Sequence, residues 1–292
     1  LNEPVEDRET KIINTKQNLE PFDINKYQVT EFKGGKDGNF RQFYPYFAQR
    51  GIDLPTQSAF KYGFIIASMQ GSNGKTYSNL SFPMHIPNKI GIVGLEQRGL
   101  KQKDGTSYKG MARGSNASEG MWIISPRNTI LSEAKRVFVF ESAYDAMAFY
   151  QMLTGKDSNL DQQSKNEVKS AVYVSTGGNP SYGQMAGLIK NAPNATFHLG
   201  FDNDVAGRQF EMNFRDIATK LSEKEGREIK IVREEPSEGY KDFNDELLGK
   251  NQHSLVDLIE TAFDDESGID LTVEELDEVE ENEKEKHHGF RR

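Results

Sequence analysis

The chain of 292 residues contains no cysteine. Disulfides, iron–sulfur clusters and cysteine-ligated zinc are therefore excluded within these residues, and nothing in them reports an oxidising compartment. Long apolar runs are missing as well: no stretch approaches the roughly 20 residues that span a bilayer. The first ten residues, LNEPVEDRET, are acidic and polar where a secretory leader would be basic and then apolar. The expectation is a cytoplasmic protein with no membrane partner. Apolar residues amount to 35% and charged residues to 28%, a polar balance, but 10% aromatic content is enough to close a core. The length corresponds to about two domains.

Acidic residues exceed basic ones by 9, yet the excess is unevenly distributed. Residues 41–131 carry 11 basic and 4 acidic side chains, whereas 264–292 carry 4 and 12. A polyanion is attracted to the first stretch and repelled by the rest, so a phosphate backbone is its natural partner. The second is too densely acidic for a packed core and reads as a solvated, disordered tail.

Periodicity divides the remainder. Residues 1–38 show little and read as an extended segment. Residues 39–50 place aromatics at helical spacing and close on Gly51, a helix stop. Short β-type runs follow at 63–69, 80–84, 89–94 and 121–125, with a Gly-rich turn at 71–74, giving a small mixed α+β domain over 39–131. From 132 the grammar changes. Apolar runs at 137–140, 171–174, 195–201 and 228–232 alternate with amphipathic helices at 142–153, 183–189, 205–221 and 242–248, and 254–263 reads as a closing helix. Such alternation predicts an α/β domain over 132–263, a parallel sheet covered on both faces with its site at the carboxyl ends of the strands.

Three of those four strand ends deliver carboxylates: Glu141 after the first, Asp202-Asn203-Asp204 after the third, and Lys241-Asp242-Phe243-Asn244-Asp245 after the fourth. Taken singly, an Asp at 202 or 242 is an ordinary helix cap. Together, crowded carboxylates repel one another, and a hard divalent cation relieves them; an all-oxygen set favours Mg²⁺, with Mn²⁺ as a substitute.

Glu141-Ser142-Ala143-Tyr144-Asp145-Ala146, Phe201-Asp202-Asn203-Asp204-Val205-Ala206-Gly207 and Lys241-Asp242-Phe243-Asn244-Asp245 resemble the three motifs of the Toprim fold, which bacterial-type primases share with type IA and II topoisomerases and some nucleases. The resemblance implies that Glu141, Asp202 and Asp204 are catalytic and work with Mg²⁺, with Asp242 as a further ligand in preference to Asp245. Upstream, the runs at 46–52, 60–64, 80–84, 91–98 and 108–110 are similar in order and spacing to the amino-terminal subdomain of the primase catalytic core. That similarity implies that Arg98, Lys109 and Arg113, with Lys241, face nucleic acid or nucleotide. Tyr108 and Trp122 are candidate stacking platforms, Trp122 reading more naturally as core.

The whole is most similar to the reduced primase-like Toprim proteins of mobile genetic elements, since these residues, without cysteine, hold no zinc ribbon, which either lies upstream of Leu1 or is dispensed with. The implied activity is Mg²⁺-dependent RNA primer synthesis on a single-stranded DNA template from nucleoside triphosphates, with a helicase or mobilisation protein as the candidate protein partner. The alternatives are a Toprim nuclease and a catalytically weak DNA-binding accessory protein.

Overall fold

The computed structural model describes residues 20–35, 37–71, 73–100 and 106–250. The expected closing helix at 254–263 and the acidic tail lie outside them.

An antiparallel sheet takes its five strands in sequence order: β1 (Gln28–Glu31), β2 (Ile65–Gln70), β3 (Thr76–Met84), β4 (Gly94–Arg98) and β5 (Lys109–Met111). Helix α1 (Phe40–Ala48) ends as expected at a left-handed Gly51 (φ 67°), and α2 (Leu54–Ala59) is capped by Asp53, whose carboxylate accepts the Thr56 N–H at 2.8 Å. Two expectations fail here. Residues 28–31, read as part of an extended segment, pair antiparallel with β2, and Phe32 beside them is buried in the core. A four-residue edge strand exposed along most of its length has too little alternation to register as one. The run 89–94 is irregular up to residue 93, after a turn at Pro87-Asn88, with positive φ at Asn88 and Gly91, and the strand starts only at Gly94.

The second sheet has the order β10-β9-β7-β8-β6, from β6 (Trp122–Ile124), β7 (Arg136–Phe140), β8 (Val172–Ser175), β9 (Thr196–Leu199) and β10 (Lys230–Arg233). The last four are parallel, and β6 runs antiparallel on β8. Residues 121–125, read with the amino-terminal strands, thus belong to the second sheet by register. Helices α3 (Ala143–Thr154), α5 (Tyr182–Asn191), α6 (Val205–Glu225) and α7 (Phe243–Leu248) follow β7, β8, β9 and β10 as the alternation predicts. Helix α4 (Gln162–Ser170) was not foreseen, because Val168 is its only buried residue and so sparse an apolar pattern leaves no stripe.

Buried parallel strands present apolar residues on both faces, and β7 shows why. Val137 and Val139 join the core under α5 and α6, whereas Phe138 and Phe140 join the one under α3 and α7. That second core continues into the amino-terminal part. Phe82 of β3 meets Tyr144 edge-on at 5.5 Å, Phe47 of α1 meets the same ring at 6.1 Å, and Phe60 packs on Trp122, Tyr150 and Tyr173. Each fully buried aromatic contributes about 1.5–3 kcal/mol by area and each edge contact about 0.5–1.5 kcal/mol more, so the two sheets are joined by a continuous core. Trp122 is 1% exposed and its indole N–H donates to the Gly63 carbonyl at 2.5 Å, which makes it core and leaves no face for stacking.

Candidate metal centre and nucleic-acid face

The carboxyl ends of β7, β9 and β10 deliver the acids to one rim. Asp145, Asp202 and Asp242 each offer an oxygen within 4.8 Å of the others, the group of this kind among the described residues. Asp145 lies within the first motif, four residues after Glu141. It sits in the first turn of α3 and is buried, with its carboxylate accepting the Ser142 hydroxyl at 2.5 Å and the Asn244 backbone N–H at 3.1 Å. Its signal in the sequence is an acid inside an otherwise apolar helical run, Ala-Tyr-Asp-Ala-Met-Ala. Asp242, not Asp245, joins the group; its other duty is to cap α7 by accepting the Asp245 N–H at 2.7 Å.

Glu141 and Asp204 stand differently from the expectation that they share ligation with Asp202. Glu141 Oε1 accepts the Asp202 backbone N–H at 3.1 Å. Asp204 caps α6 through the Gly207 N–H at 2.9 Å, and its Oδ2 lies 3.3 Å from Lys241 Nζ. Lys241 also lies 3.5 Å from Asp202 Oδ2, so this predicted nucleotide-binding lysine is turned onto the acids.

Burial, then repulsion from Asp202, raises Glu141 to about 7. Burial, then Asp242, raises Asp202 to about 6 against the pull of Lys241. Burial followed by Asp242 and Asp202 drives Asp145 well above the ordinary carboxylate range. Asp204 is the exception: burial raises it, but the Gly207 N–H and Lys241 outweigh that and hold it low. Three convergent carboxylate oxygens, with the ionisation of Asp145 and Asp202 opposed by burial and by neighbouring acids, fit a hard divalent cation, which supplies the missing counter-charge.

The third motif also fastens the two parts of the chain together. Asn244 Nδ2 donates to the Arg50 carbonyl at 2.7 Å, and Asn244 Oδ1 accepts from the Arg50 guanidinium at 3.3 Å. That guanidinium lies 5.0 Å over the Tyr144 ring. Asn244→Ala is expected to lower stability by about 1–3 kcal/mol, because buried groups lose their partners. It also loosens the N–H that orients Asp145, so Mn²⁺ affinity should drop about 10-fold or more, the range for removing a group that orients a ligand. Thermal unfolding and Mn²⁺ titration check both.

The basic residues predicted to face nucleic acid divide by sheet face. Arg98 and Lys109 are cross-strand partners, in one row with Ile66 and Leu80 of the shared core. The next row on that face, Phe82–Glu96–Met111, meets the second sheet: a Cβ on Gly177 would touch Met111 and Glu96, and the N–H of adjacent Gly178 donates to the Glu141 carbonyl at 2.9 Å. Lys109 is exposed on this face. Arg98 is 7% exposed, paired with buried Glu96 and donating to the Gln97 carbonyl at 3.1 Å. It is thus committed within the protein. Glu96 has no local periodic signature in the sequence, because it is an acid on a fully buried strand. Arg113 lines a cavity with Glu20, Pro21, Lys26, Tyr27 and Met69 beside the segment that covers the opposite face, away from the acids. Tyr108, likewise, folds against Gly110 on that outer face.

Residues 138–247 match a family model described as Toprim-like. They are a Toprim-like domain. No curated protein matches the chain. Among solved structures, the primase fragment of the bacteriophage T7 primase-helicase is similar at 15% identity over 83% of this chain and 80% of that one, with a TM-score of 0.47. A chain in the structure of the bacteriophage T7 lagging-strand DNA polymerase interacting with primase domains of two gp4 subunits bound to an RNA/DNA hybrid and dTTP is similar at 16% identity over 81% of this chain and 94% of that one, with a TM-score of 0.44. The Toprim-like domain contains all the acids of the rim. Among the described residues, no helix is long and apolar enough to cross a membrane.

Proposed function

We propose that this chain is a primase-like protein that makes RNA primers on single-stranded DNA by Mg²⁺-dependent nucleotidyl transfer, in the replication or transfer of a mobile element. The observation that carries the reading is the convergence of Asp145, Asp202 and Asp242 within 4.8 Å on a rim that the Lys109-bearing sheet face abuts. The order of the upstream motifs supports a primase over other Toprim activities.

Asp145, Asp202 and Asp242 would hold the cation. Once bound, Mg²⁺ supplies positive charge where a 3′-hydroxyl ionises and where triphosphate charge accumulates. Glu141 is suited to take the hydroxyl proton, since its carboxylate stands at the rim beside Asp202 with one oxygen held by the protein. Its Oε1 is fixed by the Asp202 N–H, which leaves Oε2 to receive the proton. Lys109 offers a point charge to the template phosphates, and the buried Glu96–Arg98 pair lies within β4, with Glu96 beside the Gly177 loop.

The test is primer synthesis on single-stranded DNA with nucleoside triphosphates and Mg²⁺, run beside Asp202→Asn. The wild type should yield dinucleotides and longer products, and the variant at least about 100-fold less, as expected when a charged group that organises the site is neutralised. Shortening of a labelled strand would replace the primase reading with a nuclease. DNA binding equal in both proteins, with no product from either, would replace it with a binding module.

A further inference from the structure

The rim's acids divide into two sets that share Asp202. The inner set is Asp145, Asp202 and Asp242. The outer set is the Asp202–Asp204 pair, and an ammonium already occupies it: Lys241 Nζ lies 3.5 Å from Asp202 Oδ2 and 3.3 Å from Asp204 Oδ2. Its position is built in by the backbone. The Asn203 N–H, between the two aspartates, donates to the Lys241 carbonyl at 2.6 Å, so the third-motif loop is pinned to the second-motif loop where a lysine side chain reaches both carboxylates. The other cation beside this loop, Arg233, is engaged by Glu211 and Glu235, each at 3.4 Å, and touches only the Asp202 carbonyl.

We infer that Lys241 is the protein's own second cation, holding the Asp202–Asp204 pair so that the free chain accepts one divalent ion, in the inner set alone. A monovalent ammonium and a divalent ion cannot share the same two oxygens, since each is stabilised by the charge the other would cancel. Lys241 is only partly exposed, and its ammonium lies within ion-pair distance of both carboxylates. A second divalent ion must therefore displace it, which requires additional ligands of its own. A nucleoside triphosphate brings such ligands, so in the proposed reaction that ion enters with the nucleotide and the released ammonium is left beside the phosphates. This last step rests on the primase reading; the count of ions in the free chain does not.

The experiment is a Mn²⁺ titration of the full chain without nucleotide or template, with bound ions counted by electron paramagnetic resonance. The wild type should bind one Mn²⁺, and Lys241→Met, which keeps the length and apolar stem but removes the charge, should bind two, with the line broadening of neighbouring spins. Lys241→Met combined with Asp204→Asn should return the count to one. Matched circular dichroism and thermal unfolding establish that the variants are folded. Two ions in the wild type, or one in Lys241→Met, would overturn the inference, and no ion in either would overturn the inner site with it. Failure of primer synthesis with counts of one and two would remove the primase reading and leave this one standing.

Discussion

Asp145→Asn is expected to weaken divalent-cation binding sharply while making the cation-free protein more stable. The two effects have one cause. Asp145 is buried among Asp202 and Asp242, and in the absence of a cation its charge is opposed by burial first and by those neighbours second. Asn keeps an oxygen for the Asn244 N–H and an amide that Ser142 can meet as an acceptor, so little besides the charge is lost. Relieving a buried, repelled charge should raise stability by roughly 1–3 kcal/mol in chelator. The inner set then retains two carboxylates, and activity should fall at least about 100-fold, beyond the range seen when only a supporting group is lost.

The same charges set the sign of the pH dependence. Glu141 is displaced from 4.5 to about 7 and Asp202 from 3.8 to about 6, with Asp145 raised in the same direction. Between the ordinary values and the raised ones the native state binds more protons than the unfolded chain. Cation-free stability is therefore greatest at the acid end of that window and is lost as pH rises to about 7. Asp204, held low, contributes oppositely, and only below its ordinary value of 3.8. Saturating Mg²⁺ should flatten the slope by neutralising the acids, and Asp145→Asn should flatten it in chelator. Thermal unfolding across pH 4.5–7.5 with and without Mg²⁺ decides the matter. A wild-type slope of the opposite sign, or undiminished Mg²⁺ stabilisation of the variant, would sink the inner site.

Gly207→Ala should be as damaging by geometry as Asp145→Asn is by charge. A Cβ at Gly207 would overlap the Asp202 carbonyl oxygen and lie 2.9 Å from both the backbone nitrogen and the carbonyl carbon of that residue. Backbone cannot yield as a flexible side chain can, so the loop carrying Asp202 must move. The cost is about 1–3 kcal/mol of overpacking, and a displacement of about 1 Å at a catalytic group lowers activity about 100-fold. Gly226→Ala is the matched control. It sits at the left-handed end of α6 (φ 64°) with open space around its Cβ, so it should cost about 1 kcal/mol and leave Mn²⁺ binding unchanged. Equal Mn²⁺ affinity in Gly207→Ala and wild type would show that the loop tolerates the methyl.

What could be read from the sequence follows from where the physical signal resides. The parallel sheet was legible because strands buried on both faces must be apolar throughout, as in Val137–Phe140, and helices between them must carry apolar residues at helical spacing, as the stripe of α6 does. The acids after those strands were legible because chain order alone puts strand ends on one rim. The division of labour among them was not. Glu141, Asp202 and Asp204 are neighbours by motif, but which oxygens converge depends on side-chain direction and on α7 returning to place Asp242 and the Asn244 N–H against Asp145. The roles of the basic residues were equally a matter of pairing: Arg98 and Lys109 are cross-strand partners on one face, yet buried Glu96 takes only Arg98, and Arg113 falls beside the opposite face.

Sequence by itself determined the absence of cysteine chemistry, the alternation that builds the second sheet and the loops that bear carboxylates, since each depends on residue type and local period. Only the tertiary structure decided that Asp145 belongs to the cation site, that β6 joins the second sheet and that Lys241 answers the Asp202–Asp204 pair. Those outcomes depend on distances between residues far apart in the chain, set by how the strands of the second sheet pair and where the loops and helices that follow them return.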